Sequence, residues 1–348
     1  MKPRILIAAG GSGGHITPAI ALAKEFISKN CQVLYVGNQN SLEEELVKEQ
    51  QINFKAINVQ KLYRNFTFKH LLFPFKFIKS IIRSRQIISE FKPQAFIGVG
   101  GFVSGPVAIA ASLKKIPIFL QEQNSVPGLT NRFIGKKAQK IFLGIENSYF
   151  PPKKTILTGN PITLVGHKQK IAYEKYSLDP NNKTIFVLGG SQGSYFINKL
   201  IDSIIPKLLQ NKINLIWQVG NYRFQDFSRK WNGQKGIYTF DFSKNIEELY
   251  NSSSLVIARA GALSLAEIET KQLPAILIPL PSAADNHQFF NANALQKEAI
   301  ILPQSEVDSN ILWENIKKEL DQDTTDLPIC TRHLNAAKTI VENILRRI

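Results

Sequence analysis

Short runs of β-branched and aliphatic residues alternate along this chain with longer stretches whose apolar positions recur at helical spacing. That alternation predicts parallel α/β sheets. In the first half, the apolar runs predict strands at Ile5–Ala9, Val33–Val36, Lys55–Val59, Ala95–Val99, Ile116–Leu120, Lys140–Leu143 and Thr155–Leu157. In the second half they predict strands at Thr184–Leu188, Leu215–Val219, Gly236–Phe240, Leu255–Ala258 and Ala275–Ile278. The pattern restarts once. Ile5–Gly14 reads as a buried strand entering a glycine turn and then a helix, and Thr184–Gly193 repeats the same grammar. Two Rossmann-like units in tandem follow, with the polar, Lys-rich segment Gly159–Asn182 as the linker. The expected division is an N-terminal domain over 1–162, a C-terminal domain over 163–332 and an amphipathic helix over 333–348 placed to pack back on the first domain. The carboxyl ends of both sheets are expected to face a central cleft, because open α/β sheets bind ligands there.

Length agrees with this division, since 348 residues exceed one ordinary core. Hydrophobic content of 44% with 20% charged residues marks a globular protein. The net charge of +16 favours an anionic partner without choosing among nucleic acid, acidic lipid and phosphorylated substrates. The two cysteines, Cys31 and Cys330, form no Cys-x-x-Cys, which excludes a Cys-rich zinc module and a disulfide framework and fits a reducing cytoplasm. The first apolar run is too short for a signal peptide, and no stretch approaches the roughly 20 apolar residues of a membrane span.

Three strand-to-helix turns are glycine-rich: Gly10–Gly14, Gly98–Gly105 and Gly189–Gly193. Glycine allows close backbone approach, and the helix that follows offers unpaired N–H groups to an anion, so three such turns favour phosphate binding. A dinucleotide fingerprint fails, because Ile16 stands where a third glycine or alanine belongs and Val36-Gly37-Asn38 brings no carboxylate for a ribose. A P-loop is excluded by the lack of Gly-Lys-Ser/Thr. His15 opens the first helix, where the dipole favours a neutral imidazole able to act as a base. Gln121-Glu122-Gln123-Asn124 ends an apolar strand and supplies candidate ligand groups, with a helix cap as the bland alternative. Arg259–Glu267 brings small residues to a helix start and a carboxylate suited to ribose hydroxyls. Asp285-Asn286-His287-Gln288 opens another helix, with Asp285 read as its cap.

Taken in order, several of these motifs resemble the bacterial MurG family of transferases over nearly the whole chain. The resemblance rests on Gly10-Gly11-Ser12-Gly13-Gly14-His15, Gly100-Gly101-Phe102-Val103-Ser104-Gly105-Pro106, Glu122-Gln123-Asn124, Gly159-Asn160-Pro161, Gly189–Gly193, Arg259–Glu267 and Asn286-His287-Gln288. It implies a GT-B fold and an inverting transfer of N-acetylglucosamine from UDP-N-acetylglucosamine to undecaprenyl-diphosphate-linked muramyl-pentapeptide, without cofactor or metal. By the same resemblance, donor contacts fall to Ser12, Gly13, Gly14, Asn124, Ser191, Ala262, Leu263, Ser264, Glu267 and Gln288. The acceptor diphosphate falls to Gly13, Gly14, Gly100, Gly101 and Ser104, and His15 is the base. The chain departs from the family at Thr163, where an Arg usually helps hold the nucleotide; Lys168, Lys170 and Arg223 are the candidate replacements. Asp321-Gln322-Asp323 reads as a solvated turn and no metal site.

One further segment points to a membrane surface. No acidic residue occurs between Glu49 and Glu90, an interval dense in Lys, Arg, Phe and Ile. Phe66, Lys69, Leu72, Phe73, Phe75, Lys76 and Lys79 are the expected patch, with aromatics inserted and cations on anionic lipid. A nucleic-acid partner is not expected, for want of a binding motif. The expected location is peripheral, on the cytoplasmic face of the inner membrane. Two other readings share the fold: a UDP-sugar epimerase, which has no use for the basic aromatic segment, and a non-catalytic nucleotide-sugar-binding membrane scaffold.

Overall fold

The computed structural model describes residues 2–60, 69–164, 173–190, 192–220, 224–241, 243, 246–295, 299–321 and 330–348, without the side chains of 69–72 and 224. The chain divides into two compact units, Met1–Thr163 with Arg332–Ile348, and Leu164–Thr331.

The first unit holds a seven-stranded parallel sheet in the order β3-β2-β1-β4-β5-β6-β7. Its strands are β1 (Arg4–Ala9), β2 (Gln32–Asn38), β3 (Phe54–Ile57), β4 (Ala95–Gly100), β5 (Ile118–Glu122), β6 (Lys140–Leu143) and β7 (Thr155–Leu157). Both faces are covered, so β1 is apolar at every inner position. Ile5, Ile7 and Ala9 join one core cluster with α1 (Gly13–Ser28) and α12 (Arg332–Leu345), while Leu6 and Ala8 join the other. That second face is covered by α3 (Lys69–Phe91), α4 (Ser104–Leu113) and α5 (Leu129–Lys137). Ile340, Val341 and Ile344 of α12 are fully buried in the first cluster.

The second unit repeats the winding with six parallel strands in the order β10-β9-β8-β11-β12-β13. They are β8 (Thr184–Leu188), β9 (Asn214–Gln218), β10 (Ile237–Phe240), β11 (Leu255–Ala258), β12 (Ala275–Leu277) and β13 (Ala299–Ile301). Its helices near the strand ends are α6 (Tyr195–Gln210), α9 (Ala262–Lys271) and α10 (His287–Ala294).

Several strand bounds differ by a residue or two from the sequence-based ones, and at two of them the cause is visible. Pro117 has no N–H to give, and β5 begins after it, at Ile118. Val59 donates its N–H to the Asn38 side chain at 2.8 Å instead of extending β3. The edge strand β13, three half-buried residues long, is an addition to the sequence-based set.

In each sheet the chain winds first one way and then the other. The strand order therefore has a switch point, between β1 and β4 in the first unit and between β8 and β11 in the second. Loops leaving the carboxyl ends of two such strands part to opposite faces and leave a crevice. All three glycine turns leave one of these four strands.

Candidate functional site

In the first unit the switch point joins the loops after β1 and β4. Gly100 and Gly101 take φ of +111° and +79°, a region open to glycine. A Cβ on Gly101 would collide with the carbonyl of Gly10, so the two loops touch backbone to backbone. A Cβ on Gly100 would lie 2.8 Å from His15 Nδ1, so the imidazole rests directly on that glycine. Ser12 is the N-cap of α1, and its side chain makes no capping bond. Its carbonyl accepts from the N–H groups of His15 and Ile16, at 3.0 and 3.1 Å. Gly13 and Gly14 thus begin the helix with no side chain over their amides, as an anion requires.

Ser104, expected on the acceptor diphosphate, is fully buried, and its hydroxyl accepts from Gly100 N–H while lying 2.7 Å from the Ala8 carbonyl and 2.8 Å from that of Gly100. It braces the loop from beneath. Glu43, not singled out by sequence, is also buried here; it accepts from Gly11 N–H at 3.4 Å and Asn38 N–H at 3.1 Å.

The polar end of β5 divides its labour. Glu122 is buried, which raises its pKa, and it accepts from the Asn124 backbone at 2.9 Å and from Asn131 at 2.8 Å. It also accepts from the Asn124 side-chain amide at 3.3 Å. Asn124, the expected sugar contact, is half-buried and oriented by that carboxylate. Gln123 turns the other way, with its Oε1 2.9 Å from His15 Nδ1.

The second unit presents two helix starts at its switch point. Gly189–Gly193 leads into α6, whose N-cap Ser194 accepts from Ile197 N–H. Gly193 packs so closely on Val219 and Gly220 that a Cβ there would strike the Val219 carbonyl. Ser191, expected on the diphosphate, lies outside the described residues. At α9 the N-cap is Gly261, which has no side chain to cap with, and the helix opens with the amides of Ala262, Leu263 and Ser264. Arg259 ties the two starts together. Its guanidinium donates to Ser194 Oγ and Gln304 Oε1 at 2.8 Å each, and to the carbonyls of Ile278 and Pro279. Burial pushes its pKa down to about 10.

Glu267 lies one turn further along α9 and accepts from the Tyr250 hydroxyl at 2.9 Å. Burial pushes its carboxyl up to about 7, against the opposing pull of that hydrogen bond. Gln288 on α10 accepts from Leu280 N–H at 2.9 Å, which directs its amide NH2 outward as donor. The helix cap there is Asn286 in the left-handed region, one residue after the Asp285 expected from sequence. Thr163 is exposed, and Lys168, Lys170 and Arg223 lie outside the described residues.

On α3, Ser80, Ser84, Ile87 and Ile88 are buried, and α3 packs on α4. Phe75, Ile78 and Ile82 face outward, 73%, 56% and 53% exposed. At i, i+3 and i+7 they form one stripe, and exposed Lys76, Lys79 and Arg83, each one residue on, form a cationic stripe beside it. Phe73 stacks on Phe77 at 5.5 Å. Phe66 lies outside the described residues, as do the side chains of Lys69 and Leu72. Among the described residues, no helix is long and apolar enough to cross a membrane.

The chain matches the glycosyltransferase family 28 N-terminal domain over residues 5–143 and the family 28 C-terminal domain over residues 184–344. A curated relative from Flavobacterium psychrophilum is 37% identical over 99% of this chain and 98% of its own length. It is named UDP-N-acetylglucosamine–N-acetylmuramyl-(pentapeptide) pyrophosphoryl-undecaprenol N-acetylglucosamine transferase. Among solved structures, MurG of Acinetobacter baumannii superposes with a TM-score of 0.78 at 26% identity, covering 99% of this chain and 100% of that one. A UDP-GlcNAc 2-epimerase from Neisseria meningitidis shares the fold alone, with a TM-score of 0.65 at 14% identity and coverage of 99% and 100%.

Proposed function

The chain belongs to glycosyltransferase family 28, beside the MurG-type enzymes, and on that premise we propose how its residues move N-acetylglucosamine from UDP-N-acetylglucosamine to undecaprenyl-diphosphate-linked muramyl-pentapeptide, the step from lipid I to lipid II in peptidoglycan synthesis. The second unit takes the donor. Its diphosphate lies at the helix start Ala262–Ser264 and on the Gly189–Gly193 loop, with Ser191, where the helix dipole favours negative charge. The ribose hydroxyls donate to Glu267, and Gln288 donates to the sugar.

The first unit takes the acceptor. Its diphosphate lies at Gly13 and Gly14 and along the Gly100–Gly101 turn. By the family resemblance, Ser12, Gly13, Gly14 and Asn124 are assigned to the donor as well. His15 accepts the proton of the attacking hydroxyl, whose oxygen bonds to the anomeric carbon as the bond to UDP breaks, inverting that centre. The α9 amides stabilise the charge that develops on the departing diphosphate. The observation that carries this reading is the convergence of His15 and two glycine loops on one switch point.

Soaking crystals in UDP tests it. The diphosphate is expected at Ala262–Ser264 with ribose on Glu267; nucleotide bound elsewhere contradicts the donor assignment. The epimerase reading leaves the α3 stripes without a role. We read those stripes as a peripheral docking face on an anionic bilayer, with Phe75, Ile78 and Ile82 inserted. Each nearby cation contributes about 1 kcal/mol. We read the cytoplasmic face of the inner membrane as the docking side, because a negative surface potential there suits the cationic stripe.

A further inference from the structure

Gln123 is 1% exposed, and both ends of its amide are committed. Its Nε2 donates to the backbone carbonyl of Val99 at 2.8 Å, and also to the side-chain oxygen of Gln121. A carbonyl can only accept, so this bond decides which end of the amide is nitrogen. Oε1 is thereby turned toward His15 and faces Nδ1 at 2.9 Å. An amide oxygen can only accept, so Nδ1 must carry a proton. A neutral ring with its proton on Nδ1 has its lone pair on Nε2.

The rest of the chain of bonds prevents this amide from turning over. Gln121 Nε2 donates to Asn160 Oδ1 at 3.1 Å, and Asn160 Nδ2 donates back to the backbone carbonyl of Gln123 at 3.1 Å. The Asn160 backbone N–H in turn donates to His333 Nδ1 at 2.8 Å, on the first turn of α12. Gln121, Asn160 and His333 are all buried, so a flip of Gln123 would leave buried donors and acceptors facing their own kind. Gly100 closes the other side, lying against the imidazole at Nδ1.

We propose that Gln123 is a positioning residue for the transfer reaction: its locked amide holds His15 in the Nδ1–H tautomer and so presents Nε2 to the acceptor hydroxyl. The catalytic half of this claim rests on His15 being the base. The amide does this without adding a charge beside the ring, and the proton taken up at Nε2 leaves the Nδ1–H bond to Gln123 intact.

The test reads tautomer and turnover separately. Nitrogen-15 NMR of histidine-labelled enzyme at a pH where His15 is neutral is expected to show His15 protonated at Nδ1. Gln123→Met, close in volume but unable to accept, is expected to give a mixture of tautomers. Its kcat should fall about 10- to 100-fold, part of the ~10²–10⁴ that a general base supplies, with UDP-N-acetylglucosamine affinity within twofold of the parent. Thermal unfolding of both proteins shows whether the variant is folded. An Nε2–H signal in the parent enzyme overturns the proposal whatever the variant does. So does a Gln123→Met enzyme with the parent's tautomer and kcat. Full turnover by His15→Ala removes the base assignment itself, and the tautomer spectra distinguish that result from a failure at Gln123.

Discussion

At Gly100 a single hydrogen in place of a methyl group decides where the imidazole lies. Gly100→Ala combines an unfavourable φ with a Cβ 2.8 Å from His15 Nδ1, so the ring must move. A displacement of about 1 Å at a reacting group costs on the order of 10²-fold in rate. The expected outcome is a kcat loss of that size with little change in UDP affinity, measured by steady-state kinetics and calorimetric titration. At Glu267 the prediction concerns pH. Its carboxyl is held up to about 7 in the unliganded protein, and ribose hydroxyls donate best to the ionised form. UDP affinity should therefore rise as pH increases through 7, and fall by up to about tenfold per pH unit below it. Tyr250→Phe removes a bond that favours the carboxylate, so the same transition should move to higher pH. Calorimetric titration across pH 5.5–8.5 checks both. His15, Glu267 and the glycine turns stand out as candidates in the sequence because they occur in contiguous motifs. Gln123 could be noticed but its partner could not. His15 lies 108 positions away, and their contact depends on which strand follows β1 in the sheet. For Ser104, sequence gives the hydroxyl and says nothing of its turn inward onto the Ala8 and Gly100 carbonyls.

At the scale of the element, α3 is informative because its faces conflict with a simple core helix. Small Ser80 and Ser84 lie inward while Phe75, Ile78 and Ile82 lie outward. A helix serving only the core would reverse that order. Sequence conveyed the density of Phe and Lys but not this division, since it does not show which way each side chain turns. Replacing Phe75, Ile78 and Ile82 together by Ser should leave UDP binding unchanged and reduce co-sedimentation with anionic vesicles at least tenfold. Lys76→Glu with Lys79→Glu should do the same, and more strongly at low salt than at high. Equal sedimentation of both variants and the parent would place the docking face elsewhere. The start of β5 shows the same limit of sequence reading, since Pro117 with no N–H to give moves it to Ile118.

At the scale of the whole molecule, one winding is used twice, and each copy carries its glycine turns at the reversal of strand order. The restart of the strand–glycine–helix grammar made the duplication legible. The strand orders themselves were not, because parallel neighbours are set by packing of the crossover helices and not by adjacency in sequence. The closing helix α12 belongs to the first unit by contact, with Ile344 fully buried. Ile344→Ala should lower that unit's stability by about 2–5 kcal/mol. Denaturant unfolding should register the loss, while UDP binding in the second unit persists. The central claim is that this duplicated frame transfers a sugar to a lipid-linked acceptor with His15 as base. Labelled UDP-N-acetylglucosamine, given with and without an undecaprenyl-diphosphate muramyl-pentapeptide acceptor, measures it most directly. The account predicts UDP release only with acceptor, a labelled lipid product of inverted anomeric configuration, and a His15→Ala enzyme that binds donor yet barely turns over. Acceptor-independent conversion of the sugar, or full turnover without His15, would contradict it.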